Sequence, residues 1–506
     1  MPTPGPDVAA RLRATAEQAP DRVALAWHDQ TVTYGDLDAR VDAAAAGFQH
    51  LGVRPGDRIA VLLGNVPAFV EAYFGALRAG ATVVPLTLGL AADEVAHALT
   101  DSGTSVLVVA AVVADELVDL ANELEVTVLV AGADEAPPGA ERWRDLLDAD
   151  HALEPVERHD DDLGAIVYTS GTTGRPKGAM LTRGNLIANQ DQSLAGRFRV
   201  AADDVVLLVL PLSHIYALNV GLGACVRVGA AMVLQERFDP TGSLDAIEQW
   251  GVTIVLGAPT MYVAWNNTPG VDQRDLSSLR LCVSGAAPLS VDVLDRFHDL
   301  TGLTIEEGYG LTEAAPSVAS NSMAPEPRPG TVGMPLPDLD LRLVQPDGTD
   351  AEVGDPGEVW VRGPNVFAGY WNDAEATAAT LVDGEWLRTG DIGVLDDDGY
   401  LRLVDRGDDT IIVTGFNVYP REVERVLLRH EAVEACAVAG VPHPYTGEAV
   451  RAWVVPKGEV TEDELAVYCR SLLARYKCPE TVTLVDALPH TASGKIRRVA
   501  LRDQIR

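Results

Sequence analysis

From about residue 20 to residue 400 the chain repeats one pattern, a short apolar run followed by an amphipathic stretch of helical spacing. The series includes "RIAVLL" then "VPAFVEAYFGALRAG", "ATVVPL" then "LAADEVAHALTDSG", and "SVLVVA" then "ADELVDLANEL". Such alternation predicts βαβ units, because buried parallel strands need a crossover helix between them. A second series runs through "DVVLLVLP", a helix containing "VGLGACVRVG", "AAMVLQ", "LDAIEQWG", "TIVLGAP" and "LRLCVSGAA". From about residue 330 the texture changes to short strands with Gly, Pro and Asp turns, as in "VQPDGTDAEVGDPGEVWVRG", which predicts a small β-rich subdomain. A charged, glycine-containing stretch near residue 405 then leads into a last mixed segment. The predicted architecture is α/β: a large N-terminal domain of parallel-sheet subdomains and a small β-rich subdomain over 1–405, then a small mobile α+β domain over 406–506.

A length of 506 residues suits about three folding units. With 47% hydrophobic and 22% charged residues the composition is globular, and the chain has no run of the roughly 18 apolar residues that a membrane span needs. No basic-then-apolar leader opens the sequence and no peroxisomal tripeptide closes it, so a cytoplasmic protein is expected. The net charge of −35 argues against nucleic acid and anionic membranes as partners. Five scattered cysteines, with no C-x-x-C and no histidine pair at ligand spacing, argue against metal clusters and disulfides.

Against that acidic background "YTSGTTGRPKG" (168–178) is unusual, with five hydroxyl side chains, three glycines, an arginine and one of only four lysines. It follows the strand-like "LGAIV" and precedes a helical stretch for which Thr182 is the candidate N-cap, so a strand-to-helix loop is predicted. Converging backbone N–H groups, hydroxyls, Arg175 and Lys177 give it the chemistry of a phosphate cradle. The spacing of Gly171, Gly174, Lys177 and Gly178 is not that of the P-loop NTPases; on its own the stretch reads first as a phosphate loop, with a flexible surface loop as the alternative.

Further stretches carry candidate chemistry, each with a plain structural alternative. His214 follows a buried-looking strand in "PLSHIYAL", where a packed histidine is the simpler reading. "VSGAAPLS" and "EEGYGLTEAA" lie at strand ends, where open α/β sheets bind ligands. In the second, Tyr309 suits stacking on a base and Glu313 suits a divalent cation bridging phosphates. Asp391 in "WLRTGDIG" suits ribose hydroxyls or an ordinary turn, and Lys495 in "PHTASGKIRR" suits a ligand or a solvated tail.

Taken together and in order, these motifs resemble the adenylate-forming superfamily of acyl-CoA synthetases, amino-acid adenylation domains and firefly-type luciferases, over nearly the whole chain. The resemblance implies ATP, Mg²⁺ and coenzyme A as cofactors and a small-molecule carboxylic acid as substrate. It assigns Thr169, Ser170, Gly171, Thr172, Thr173, Gly174 and Lys177 to the pyrophosphate end of ATP, and Tyr309 to the adenine. Thr312 falls on the α-phosphate, Glu313 on Mg²⁺, Asp391 with Arg406 on the ribose, and His214 beside the acyl carboxylate. Asp408 is the implied hinge, Gly415 lies on the pantetheine path, and Lys495 serves the first half-reaction.

The implied acyl pocket comprises Ile215, Tyr216, Ala217, Gly221, Thr260, Tyr262, Ser284, Gly285, Ala286 and Gly310. No acid lies near Ser213, His214 and Ile215, where amino-acid adenylation domains normally carry an aspartate. The chain continues "VAWNNTPG" after "PTMY", where dicarboxylate-activating relatives tend to place an arginine, so a neutral acyl tail is expected. Ala217, Gly221 and Ala224 recur at helical spacing and would share one face, either a channel wall for an aliphatic chain or a surface for close packing. The expected activity is a free-standing acyl-CoA synthetase for a medium- to long-chain fatty acid. The alternatives are an aryl-CoA ligase bounded by Tyr216, Tyr262 and Trp265, and an acyl-AMP ligase that loads an acyl carrier protein. A non-catalytic nucleotide sensor is the reading from outside the class.

Overall fold

The computed structural model describes residues 8–169, 176–197, 199–287, 289–406, 409, 411–413, 416–443, 447–490 and 496–503. The chain divides into two compact units, Met1–Asp340 with Val361–Leu387 and Leu341–Trp360 with Arg388–Arg506.

In the first unit the predicted alternation becomes two largely parallel sheets. One is seven-stranded among the described residues, in the order Glu141–Arg142, Thr127–Ala131, Thr104–Ala110, Arg58–Leu62, Thr82–Leu86, Leu163–Thr169 and Lys177–Thr182. Its pairs are parallel except the last, where Leu163–Thr169 and Lys177–Thr182 run antiparallel. Ala60, Leu62, Val84, Leu107, Val109 and Ile166 bury its inner face against the helices Ala92–Ser102 and Ala111–Glu123. The second sheet has nine strands among the described residues, with a parallel centre of Ala231–Leu234, Val205–Leu208, Ile254–Gly257, Leu281–Ser284 and Ile305–Gly310. The core beside it includes Leu207, Val255, Tyr262, Trp265, Cys282 and Phe297.

Two local readings are corrected. The glycine-rich stretch does not lead straight into a helix, since Lys177–Thr182 forms a strand first. Gly178, Ala179 and Leu181 are buried there, and Met180 bonds to a segment far along the chain, donating its N–H to the Gly369 carbonyl and accepting from the Ala368 N–H, each at 2.9 Å. Thr182 then caps the helix Arg183–Leu194 as expected, its hydroxyl accepting from the Asn185 N–H at 3.0 Å while Asn185 Oδ1 accepts from the Thr182 N–H at 2.9 Å.

The second correction concerns the segment after His214, which forms a π-helix over Tyr216–Gly223 before α-helix resumes at Ala224–Val228. Bonds of the i→i+5 kind widen the turn, so the α-helical spacing of Ala217, Gly221 and Ala224 no longer defines one face. Asn219, buried at the centre, anchors the wide turn: its amide donates to the Leu186 and Ala315 carbonyls at 3.0 and 2.7 Å, and its oxygen accepts from Gln190 at 2.8 Å.

The second unit holds the short strands expected after residue 330 and a last α+β layer. In that layer Phe416–Val418, Ile411–Val413, Gly447–Pro456 and Val433–His443 form one sheet with Thr481–Leu484, over the helices Pro420–Leu427 and Glu462–Leu472. Ile411, Val423, Leu427, Val438, Val450 and Leu465 are its core. The long strand Trp386–Leu395, which enters the second unit at Arg388, pairs there with Leu401–Arg406. Among the described residues no helix is long and apolar enough to cross a membrane.

Candidate active site

The strands Leu163–Thr169 and Lys177–Thr182 bring Thr169 and Lys177 into register at the open end of their sheet, with the Thr169 hydroxyl 3.4 Å from the Lys177 carbonyl. Ser170, Gly171, Thr172, Thr173 and Gly174 lie outside the described residues, as does Arg175. The Lys177 ammonium stands 3.8 Å from the Asp373 carboxylate and 5.4 Å from the centre of the Tyr370 ring.

Tyr309 is the penultimate residue of the strand Ile305–Gly310 and almost fully buried, and Thr312–Ala314 form a single 3₁₀ turn one residue beyond that strand. The half-buried Glu313 on that turn is held at both ends. Its carboxylate accepts the Tyr370 hydroxyl at 2.7 Å, and its main-chain carbonyl accepts the Phe367 N–H at 2.9 Å. Burial, then the Glu313 charge, pushes the Tyr370 phenol above its ordinary pKa, so it remains a donor at all working pH. Tyr370 was not singled out from the sequence, although it sits in the aromatic "FAGYWND". Among the described residues no three His, Cys, Asp or Glu side chains cluster as a metal site. A single, partly solvated carboxylate fits Mg²⁺, which takes one or two protein oxygens and fills its octahedron with phosphate oxygens and water.

Among the residues assigned to the acyl substrate, the Tyr216 N–H donates to His214 Nδ1 at 3.3 Å. The Tyr216 ring lies against Gly285, where an added Cβ would come within 3.2 Å of it. The Tyr216 hydroxyl is buried with no hydrogen-bond partner among the described residues, and desolvation raises its pKa. Ser284 is 1% exposed, and its hydroxyl is also without a hydrogen-bond partner among them. Ile215 and Ala217 are buried beside Tyr216, while Ala286 (φ 69°), Gly310 and Thr260 are exposed.

Other expected pocket residues sit differently. Tyr262 is fully buried and donates its hydroxyl to the Val283 carbonyl at 2.8 Å, and Trp265 donates its indole N–H to Ser243 at 2.8 Å. Both belong to the core beside the second sheet. Gly221 faces Leu208, where an added Cβ would meet a methyl at 2.8 Å, so close packing accounts for the glycine. Ahead of Tyr309, Glu306 and Glu307 are buried carboxyls that sequence reasoning passed over. Burial pushes both up to about 7, against the Arg197 guanidinium at Glu306 and the Leu289 and Gly330 N–H groups at Glu307.

Asp391 and Arg406 belong to the second unit, where they are direct register partners on adjacent antiparallel strands. Asp391 is 6% exposed and its N–H donates to the Thr389 hydroxyl at 3.1 Å. Asp408, Gly415 and Lys495 lie outside the described residues.

Comparison with known proteins identifies the family. Residues 12–371 match the family described as AMP-binding enzyme, and residues 422–495 match the AMP-binding enzyme C-terminal domain. A feruloyl-CoA synthase of Amycolatopsis sp is 42% identical over 96% of this chain and 96% of its own. A long-chain-fatty-acid–CoA ligase of Bacillus subtilis is 34% identical over 100% of this chain and 95% of its own. Among solved structures, an anthranilate CoA ligase in complex with anthranoyl-AMP superposes with a TM-score of 0.93 at 28% identity, covering 100% of this chain and 98% of that one. The family models and these relatives together place the chain in the adenylate-forming superfamily, and it belongs to the acyl-CoA synthetase branch of AMP-binding enzymes, AMP-forming acid–CoA ligases that use ATP and CoA, with Mg²⁺ as the usual ion.

Proposed function

We propose that this ligase activates an aryl acid bearing a ring hydroxyl or a similar polar substituent, of the hydroxycinnamate type, rather than a medium- to long-chain fatty acid. One observation carries the reading: the hydroxyl of Tyr216, a residue assigned to the acyl pocket, is buried without a hydrogen-bond partner among the described residues. A buried unpaired hydroxyl is costly, and a substrate group that bonds to it relieves the cost. The packing of Gly221 on Leu208 removes the support that a small-residue face lent to an aliphatic channel. The likeness to a feruloyl-CoA synthase at 42% points the same way.

The chemistry follows from the leaving groups. A carboxylate cannot expel oxide, so its oxygen attacks the α-phosphorus of ATP, pyrophosphate departs, and a mixed anhydride with AMP results. The CoA sulfur then attacks the acyl carbon and AMP leaves. In this reading Thr169 and Lys177 face the pyrophosphate end, Tyr309 the adenine, Thr312 the α-phosphate, and Asp391 with Arg406 the ribose. Glu313 would hold Mg²⁺, which would supply neutralisation of phosphate charge. His214 borders the carboxylate. Lys495 neutralises charge in the first step, and rotation of 406–506 about Asp408 exchanges it for the pantetheine path past Gly415. A cytoplasmic location fits soluble acid, ATP and CoA as substrates.

The test is pyrophosphate release with ferulate, 4-coumarate, cinnamate, benzoate, dodecanoate and palmitate, followed by mass detection of the acyl-CoA. Preference for the phenolic acids is expected. Preference for dodecanoate or palmitate, the reading favoured by the likeness to the fatty-acid ligase, would overturn the assignment.

A further inference from the structure

We propose that Asp101 is a positioning residue that sets Lys177 and Glu313 relative to each other from behind the site; the proposal rests on reading that site as the one that binds ATP. Asp101 lies in the last turn of the helix Ala92–Ser102, half-buried, and takes three hydrogen bonds from two segments far away in sequence. Its carboxylate accepts the Tyr168 hydroxyl at 2.6 Å. Its main-chain carbonyl accepts the Trp371 indole N–H at 2.8 Å and the Asn372 amide at 3.1 Å.

Each segment leads directly to a site residue. Tyr168 is next to Thr169 and pairs in register with Gly178, the neighbour of Lys177. The Trp371 N–H donates to the Gly178 carbonyl at 2.7 Å, which closes a ring of contacts from Asp101 through both segments. Tyr370, between them, reaches Glu313 at 2.7 Å with the Lys177 ammonium over its ring. One turn earlier on the same helix face, His97 Nε2 meets the Pro176 carbonyl at 3.3 Å, and its ring packs edge-on against Tyr168 with centroids 6.1 Å apart. His97 and Asp101 therefore hold both strand ends that carry Thr169 and Lys177.

The carboxylate is also in an unfavourable place for helix stability. A negative charge in the last turn opposes the helix dipole, and the turn already ends at Gly103 with φ 62°, in the left-handed conformation that suits glycine. A role confined to helix stability would be better served by a neutral side chain. Holding Tyr168 gives the charge a purpose.

The experiment uses Asp101→Ala, Tyr168→Phe and the double variant of the full chain. Binding of a non-hydrolysable ATP analogue with Mg²⁺ is measured by calorimetry without any acid, so the acyl substrate need not be known. Each single variant is expected to bind about three- to tenfold more weakly, and the double variant no more weakly than the worse single, because both remove one bond. Melting temperature should hold or rise for Asp101→Ala. Wild-type affinity in both single variants would overturn the proposal, as would additive losses that accompany a falling melting temperature. If the unmodified enzyme binds no analogue, the ATP-site reading itself fails, and the positioning role with it.

Discussion

Tyr370 donates its hydroxyl to Glu313 at 2.7 Å while its ring lies beneath the Lys177 ammonium at 5.4 Å, so one aromatic side chain touches both charged groups that the proposed reading assigns to the phosphates and their metal ion. The Phe367 ring braces it edge-on, with centroids 4.9 Å apart. Removing only the hydroxyl tests the aim of the carboxylate. Tyr370→Phe should keep the fold and the ring contacts, lower pyrophosphate release by about tenfold, and raise the Mg²⁺ concentration needed for half-maximal rate. An unchanged Mg²⁺ dependence would show that Glu313 needs no such support.

That pairing marks the limit of what the sequence made legible. Strand–helix alternation is local, and the two parallel sheets and the β-rich stretch after residue 330 follow from it. The motifs that resemble a family are contiguous, so Lys177, Tyr309, Glu313 and Asp391 could be named directly. Tyr370 and Asp101 act on those motifs from far along the chain, and nothing in their own neighbourhoods announces the partner. The π-helix at Tyr216–Gly223 escaped for a related reason, since its anchor Asn219 bonds to Leu186 and Ala315, both remote in sequence.

Tyr216→Phe removes the hydroxyl that has no partner among the described residues and leaves the ring against Gly285. The preference for ferulate over cinnamate in kcat/KM should fall about tenfold, with cinnamate itself little changed or improved. Parallel losses on both acids would argue that the hydroxyl serves the pocket's shape and not recognition.

Gly221→Ala separates close packing from a channel. The new methyl would meet Leu208 at 2.8 Å, inside the distance that real Cβ atoms keep, so a loss of about 1–3 kcal/mol of stability is expected with the order of preferred acids unchanged. If instead the variant stays stable and shifts to shorter acids, Gly221 lines the acyl path.

Lys495→Ala tests the two-step reading of the C-terminal segment. Loss of a charge that meets the carboxylate and α-phosphate only during adenylation should slow that step by about a hundred- to a thousandfold. Thioester formation from supplied acyl-AMP should survive. Equal damage to both half-reactions would remove the reason for a rotation about Asp408.

The carboxyls of Glu306 and Glu307 allow a prediction with a definite sign. Burial is the leading cause at both and pushes them up to about 7, while in the unfolded chain they titrate near 4.5. The folded state thus binds more protons than the unfolded state between those values. Their contribution is fully present below pH 4.5 and is lost as pH rises through 7. Glu306 has one oxygen without a hydrogen-bond partner among the described residues and the Arg197 guanidinium 3.6 Å from the other. Glu306→Gln replaces a charge that becomes costly above neutrality with a neutral amide of the same shape. Its melting temperature relative to the unmodified protein should therefore improve from pH 5 to pH 8, by about 2 °C or more, with less change below pH 5. The Arg197 pair opposes this trend, and it is the weaker of the two effects because it lowers a pKa that desolvation still leaves near neutrality. If the variant instead becomes progressively less stable than the unmodified protein as pH rises, the ion pair outweighs desolvation, and the carboxyl is charged in the folded protein well below pH 7.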